Sequence, residues 1–119
     1  MATRAAIGFV SGSEIHTIYS HYDGYPNHVG KILQTYFRSM KLAEDLVYGA
    51  QIRNFDSDGT VVRYLRSDGA YEISATPCEA IQGYDYLYLF DSEKTEWMCF
   101  GRSHDLPAPA LKRYDIPLE

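Results

Sequence analysis

The chain has 119 residues, 45% of them apolar and 23% charged, with a formal net charge of −5 at neutral pH. That length fits one domain around one core, and the composition is that of a globular chain rather than a disordered one. The acidic balance argues against non-specific nucleic-acid binding, which needs a basic surface.

No apolar run approaches the roughly 20 residues that cross a bilayer, so no membrane partner is expected. Met1-Ala2-Thr3-Arg4 lacks the apolar stretch of a secretory signal, which points to a soluble, cytoplasmic protein. Cys78 and Cys99 match no zinc-finger or redox spacing, and buried free thiols are the expectation. The composition is unusual in its 11 tyrosines, whose flat apolar face and polar tip suit half-buried strands and contact surfaces.

In chain order, Ala5 to Val10 reads as a strand, Ser11-Gly12-Ser13-Glu14 as a turn, and Ile15 to Tyr22 as the returning strand. Asp23-Gly24-Tyr25-Pro26 breaks it, and Pro26 suits the first position of a helix, where no amide donor is needed. Val29, Ile32, Leu33, Tyr36, Phe37 and Met40 then trace one helical face. A second helix is expected over about Lys41 to Tyr48, capped by Gly49.

The second half reads as strands. Asp56-Ser57-Asp58-Gly59 and Ser67-Asp68-Gly69 bracket a strand over Thr60 to Arg66, and Ala70 to Ser74 follows. Thr76 is placed to cap a short helix starting at Pro77. Tyr84 to Phe90 and Thr95 to Phe100 form a hairpin around Asp91-Ser92-Glu93-Lys94, with Trp97 in the core. A proline-containing tail from about residue 103 closes a single domain over 1–119. The fold class is α+β, an antiparallel sheet with two helices packed on one face.

The densest polar cluster is Tyr19, His21, Asp23, Tyr25, Asn27, His28 and Lys31, where a strand hands over to a helix start. Free amides there attract anions, and Gly24 and Gly30 allow close approach, so a phosphate, carboxylate or nucleotide is the expected guest. Asp-Gly-Tyr-Pro-Asn-His-Val-Gly-Lys is not a Walker loop, because position 25 is Tyr and Ile32 follows Lys31. His21, Asp23 and His28 are suitable metal ligands by type but lack a ligand spacing, and neither metal nor cofactor is expected. No Gly-x-Ser-x-Gly elbow or cysteine–histidine pairing marks a nucleophile. Arg53, Arg63 and Arg66, with Tyr64 and Tyr71 nearby, offer guanidinium and ring chemistry for a phosphate and a base, although Arg63 and Arg66 fall on opposite faces of an ideal strand.

Thr3-Arg4-Ala5-Ala6-Ile7, then Ile18-Tyr19-Ser20-His21-Tyr22-Asp23-Gly24-Tyr25-Pro26 with Gly30-Lys31-Ile32-Leu33, resembles a family of small uncharacterised proteins common in tailed-phage genomes. Tyr84-Asp85-Tyr86-Leu87-Tyr88-Leu89-Phe90 and Trp97 look similar too, whereas Phe55 to Ala75 does not. The resemblance implies a setting, a small accessory protein in an infected bacterium, and no mechanism. With the residues above, the expectation is a non-enzymatic, homo-oligomeric protein that sequesters a nucleotide-type immune signal. The ligand set is Tyr19, His21, Asp23, Tyr25, Asn27, His28, Lys31, Arg63 and Arg66. An inhibitor that binds a host protein and a small hydrolase of a phosphorylated ligand are the alternatives.

Overall fold

The structure, a computed structural model, describes residues 2–64, 70–102 and 111–116. The first hairpin pairs β1 (Ala5–Ser11) with β2 (Glu14–Ser20), its turn made by Gly12 at φ 62. Such a left-handed conformation costs glycine nothing. A π-helical turn, Pro26–Gly30, runs directly into α1 (Lys31–Tyr36). The periodic face read as one helix breaks at Phe37, because Ser39 caps a new helix, α2 (Met40–Val47), its hydroxyl accepting from the Leu42 amide at 3.2 Å. Met40 therefore begins the second helix instead of ending the first.

The chain then forms β3 (Ile52–Phe55), β4 (Val61–Arg63), β5 (Glu72–Ser74), α3 (Pro77–Ala80), β6 (Tyr86–Asp91), β7 (Glu96–Arg102) and β8 (Leu111–Tyr114). Among the described residues one eight-stranded sheet runs β4-β3-β2-β1-β6-β7-β8, with β5 beside β2. The expected α+β class holds, and the sheet is mostly antiparallel. Two pairs, β1 with β6 and β2 with β3, are parallel. The helical excursion from β2 to β3 is the crossover that a parallel pair requires.

Strand alternation sorts the core into two layers. Ala5, Ile7, Phe9, Ile18, Tyr88 and Phe90 face Val29, Leu33, Ala43, Leu46 and Val47, so the two early helices share one face as expected. Ala6, Leu87 and Leu89 point the other way and pack on Ala80 and Ile81, which puts the short α3 on the opposite face. Thr76 caps α3 through its hydroxyl, as its position before Pro77 indicates.

Two strands go beyond the sequence reading. β3 carries buried Ile52 and Phe55 three residues apart, because a bulge between Ile52 and Asn54 breaks the period of two. β8 lies within the segment read as a surface tail, and it is an edge strand with Lys112 and Arg113 exposed, as solvent edges commonly are.

Candidate functional site

The corner at residues 23–30 is tied up by the protein itself. Asp23 sits exposed in the turn at φ 55. Gly24 is buried, its amide donating to the Thr3 carbonyl at 2.8 Å and its carbonyl accepting from the buried Tyr88 hydroxyl at 2.7 Å. A Cβ on Gly24 would lie 2.7 Å from the Thr3 oxygen, and one on Gly30 would lie 3.2 Å from both Ile116 and Tyr88. Both glycines thus admit neighbouring chain rather than a guest. The His28 amide bonds the Tyr25 carbonyl at 3.0 Å, and the Lys31 amide serves the carbonyls of Pro26 and His28.

Three of the expected ligand residues remain together. Asn27, His28 and Lys31 line a recess of about 280 Å³ with Ile32, Thr35, Tyr36 and Ser57. His28 is committed, since its Nε2 lies 2.8 Å from the Phe55 carbonyl. Tyr25, exposed, sits with its ring 6.2 Å from that of His28. Ligand pockets span about 300–1,000 Å³, so the recess sits just below the small end of that range.

Tyr19 and His21 lie elsewhere. Tyr19 is in register with Ala6, on the α3 face, whereas the Asn27 recess belongs to the helical layer. The expected set is therefore divided by the sheet. The Tyr19 hydroxyl and His21 Nδ1 share a hydrogen bond. Around them, the Tyr22 ring lies 4.4 Å from His21, Tyr64 lies 6.2 Å from His21, and Tyr84 lies 5.8 Å from Tyr19.

Two guanidinium groups border these rings. Arg53 stands 5.7 Å over the Tyr22 ring, within cation–π range. Arg4 is exposed beside Tyr19 and Tyr84, and its positive charge opposes the rise in both phenol pKa values. Burial drives that rise in each, and in Tyr84 a hydrogen bond donated to the Glu72 carboxylate adds to it. Both phenols stay protonated at neutral pH, with the Tyr84 proton committed to Glu72. Among the described residues neither Arg4 nor Arg53 forms an ion pair with a carboxylate. The result is an open platform of rings bordered by the Arg4 and Arg53 guanidinium groups, with the Glu72 and Asp85 carboxylates beside Tyr84 and Arg4.

Arg63 has a different task. Its guanidinium donates to the carbonyls of Ala50 at 2.5 Å, Leu46 at 3.2 Å and Asp45 at 3.2 Å, closing the C-terminal end of α2. Those carbonyls lack partners within the helix, and a cation there also meets the negative end of its dipole. Gly49 was expected to cap α2; Tyr48 takes that position, and Gly49 leaves room for the guanidinium, 2.6 Å from where a Cβ would put it. Replacing Arg63 with Met is expected to cost about 2 kcal/mol, with the α2 amides losing hydrogen-exchange protection first. Equal protection in α2 and β6 losses would contradict that role. Arg66 lies outside the described residues.

Arg4, Tyr22, Arg53 and Tyr84 were absent from the expected set. They reach the platform only through strand register: Ala5 pairs with Ser20, and Ser20 with Ile52, so Arg4 and Arg53 follow on either side of His21. The adjacency of Tyr22 to His21 and the Thr-Arg start were the available signals. Among the described residues no three His, Cys, Asp or Glu side chains gather to hold a metal, and no helix is long and apolar enough to cross a membrane. Comparison of the chain with models of known families, with curated proteins and with solved structures finds no match.

Proposed function

We propose that this protein sequesters a small nucleotide-type anion without turning it over, on the platform formed by Tyr19, His21, Tyr22, Arg53, Tyr84 and Arg4. The reading rests on one observation: exposed guanidinium groups that pair with no carboxylate among the described residues border a set of rings, with Arg53 5.7 Å over Tyr22. Rings stack a base and guanidinium groups hold a phosphate in two-pronged fashion. In the setting that the phage-protein resemblance implies, the ligand is an immune signal of the infected bacterium.

A melting-temperature screen against cyclic and ADP-ribose nucleotides tests this. A true ligand at a hundredfold excess over its dissociation constant stabilises the fold by about 2.7 kcal/mol. Arg53→Ala is expected to weaken that ligand at least about tenfold while leaving the unliganded melting temperature within a few degrees. Intact ligand recovered after heating supports sequestration, and its hydrolysis would replace the proposal with a small hydrolase. Sedimentation of free and loaded protein tests the expected homo-oligomer. The second reading, an inhibitor that binds a host protein, is favoured by Tyr25 and Tyr36, exposed on the helical side away from the platform. Silence in the nucleotide screen combined with a purified host factor bound through those rings would favour it.

A further inference from the structure

At the opposite end of β2 from the platform lies a second group of rings, built from four elements. His16 of β2 faces Phe9 of β1 in register. Tyr48 follows α2, and Tyr71 precedes β5. The His16 ring lies parallel to Tyr71, at 5.6 Å and 21°, and Tyr48 meets Tyr71 edge-on at 4.9 Å and 78°. Phe9 supports Tyr48 from below, also edge-on at 5.8 Å. Tyr48 nevertheless keeps 44% of its surface exposed.

A hydrogen-bonded chain fixes the rings. His16 Nε2 lies 3.2 Å from a Glu14 carboxylate oxygen, and His16 Nδ1 lies 2.9 Å from the Tyr48 hydroxyl. A carboxylate only accepts, so Nε2 carries the proton; Nδ1 of the neutral ring then accepts from Tyr48. Each bond polarises the next toward Tyr48, enriching the negative face of its ring. Burial chiefly holds the Tyr48 phenol above its usual value, with Tyr71, Glu44 and Glu14 adding to the effect. The phenol therefore remains neutral beside two carboxylates.

Glu44 precedes Tyr48 by four residues, which sets the two on one side of the helix end. Among the described residues no lysine or arginine pairs with Glu14 or Glu44, whereas nearby Lys41 is taken by Asp45 at 3.7 Å. Ile73, in register with His16, adds an apolar surface that is 52% exposed. Rings, carboxylates and an apolar ledge form the complement of one side chain, with a planar cationic head and an aliphatic stem.

We propose that this surface docks an arginine side chain from a basic segment of a protein partner. The guanidinium stacks on the exposed Tyr48 ring while Glu14 and Glu44 accept its hydrogen bonds, and the stem lies along Ile73. The net charge of −5 draws such a segment toward the protein. An anionic ligand is repelled here, so this site is separate from the platform and stands whether or not that reading does.

The probe is a fluorescein-labelled Gly-Arg-Gly-Arg-Gly peptide, followed by anisotropy at low salt beside its Lys and Gln counterparts. The Arg peptide is expected to bind best and the Gln peptide not at all. Tyr48→Leu should weaken it at least about tenfold, the scale of a desolvated cation–π contact. Glu44→Gln, on an exposed side chain that leaves folding intact, should weaken it about threefold. Asp23→Asn, exposed in the turn beyond the far end of β2, should leave it unchanged.

Equal losses in Glu44→Gln and Asp23→Asn would reduce the effect to net charge and overturn the proposal. So would arginine amide binding as tightly as the peptide, which would make the occupant a small free cation. Failure of the Arg peptide to bind at all overturns it as well. Should Tyr48→Leu fail to fold, Tyr48→Phe keeps the ring and breaks the relay, and its binding is expected to fall by a smaller factor than that of Glu44→Gln combined with Tyr48→Phe.

Discussion

Gly8→Ala is expected to remove about 4 kcal/mol or more of the folding stability. The reason is not φ, which is unexceptional at Gly8, but the approach of β2. A Cβ at Gly8 would overlap the His16 carbonyl oxygen and lie 2.8 Å from its carbon and 2.9 Å from Thr17 Cα. All three atoms are backbone, in a strand held to β1 over the register from Ala5↔Ser20 to Ser11↔Glu14. Overpacking costs about 1–3 kcal/mol where side chains can yield. Here a central hairpin must separate, and a cost of about 4 kcal/mol or more follows, against a total stability of roughly 5–15 kcal/mol. Gly12→Ala is the control: φ is 62 but nothing lies within 4 Å, so only backbone strain of about 1–2 kcal/mol applies. Denaturant midpoints followed by circular dichroism separate the two, and equal midpoints would refute the close approach.

The sequence made such a glycine invisible. Gly8 sits in an apolar run, Ala5 to Val10, that signals a buried strand well, but nothing in the run says which neighbour comes close. Local signals did carry far: the Pro26 helix start, the Thr76 cap and the β6–β7 hairpin all rest on residues a few positions apart. Pairing between distant segments did not. The parallel neighbours β1–β6 and β2–β3 are chosen by crossovers, and the bulge in β3 hid its buried Ile52 and Phe55 from a period of two.

The candidate site suffered for the same reason. Residues 19–31 are adjacent in sequence, yet odd and even positions of a strand face opposite ways, so Tyr19 and His21 part from the helical residues that follow. Arg63 shows the converse. Its chemistry was read as available for a phosphate, but the helix carbonyls of residues 45 and 46 and the loop carbonyl of Ala50 reach it first. A guanidinium goes to the nearest unsatisfied acceptors, and only coordinates show which those are.

Stability is expected to be level from about pH 6 to 9 and then to fall steeply toward pH 11. Tyr88 is fully buried, and burial, with Cys99 adding to it, pushes its phenol far above the ordinary 10.0. Burial likewise pushes the Cys99 thiol from 9.0 up to about 12, a rise that its bond to Tyr88 opposes. Both groups lose their protons in the unfolded chain well before they do so in the folded one. The unfolded state then binds fewer protons, so stability is complete below the unfolded values and declines as pH rises past 9 for Cys99 and past 10 for Tyr88. At pH 11 the loss is about 3 kcal/mol from the thiol and about 1 kcal/mol from the phenol taken singly. Their contact makes the joint figure smaller than the sum. Tyr19, Tyr48, Tyr84 and Tyr86 shift in the same direction and steepen the fall. Urea midpoints taken between pH 7 and 11 read this directly. Cys99→Ala should delay the onset from about pH 9 to about pH 10, because the thiol alone titrates in that interval. Tyr88→Phe should flatten the curve above pH 10 and lower it at every pH, since the buried Gly24 carbonyl loses its donor, at a cost of about 1–3 kcal/mol. A wild-type midpoint unchanged at pH 11 would mean that neither group is sealed from water between β6 and the Gly24 turn.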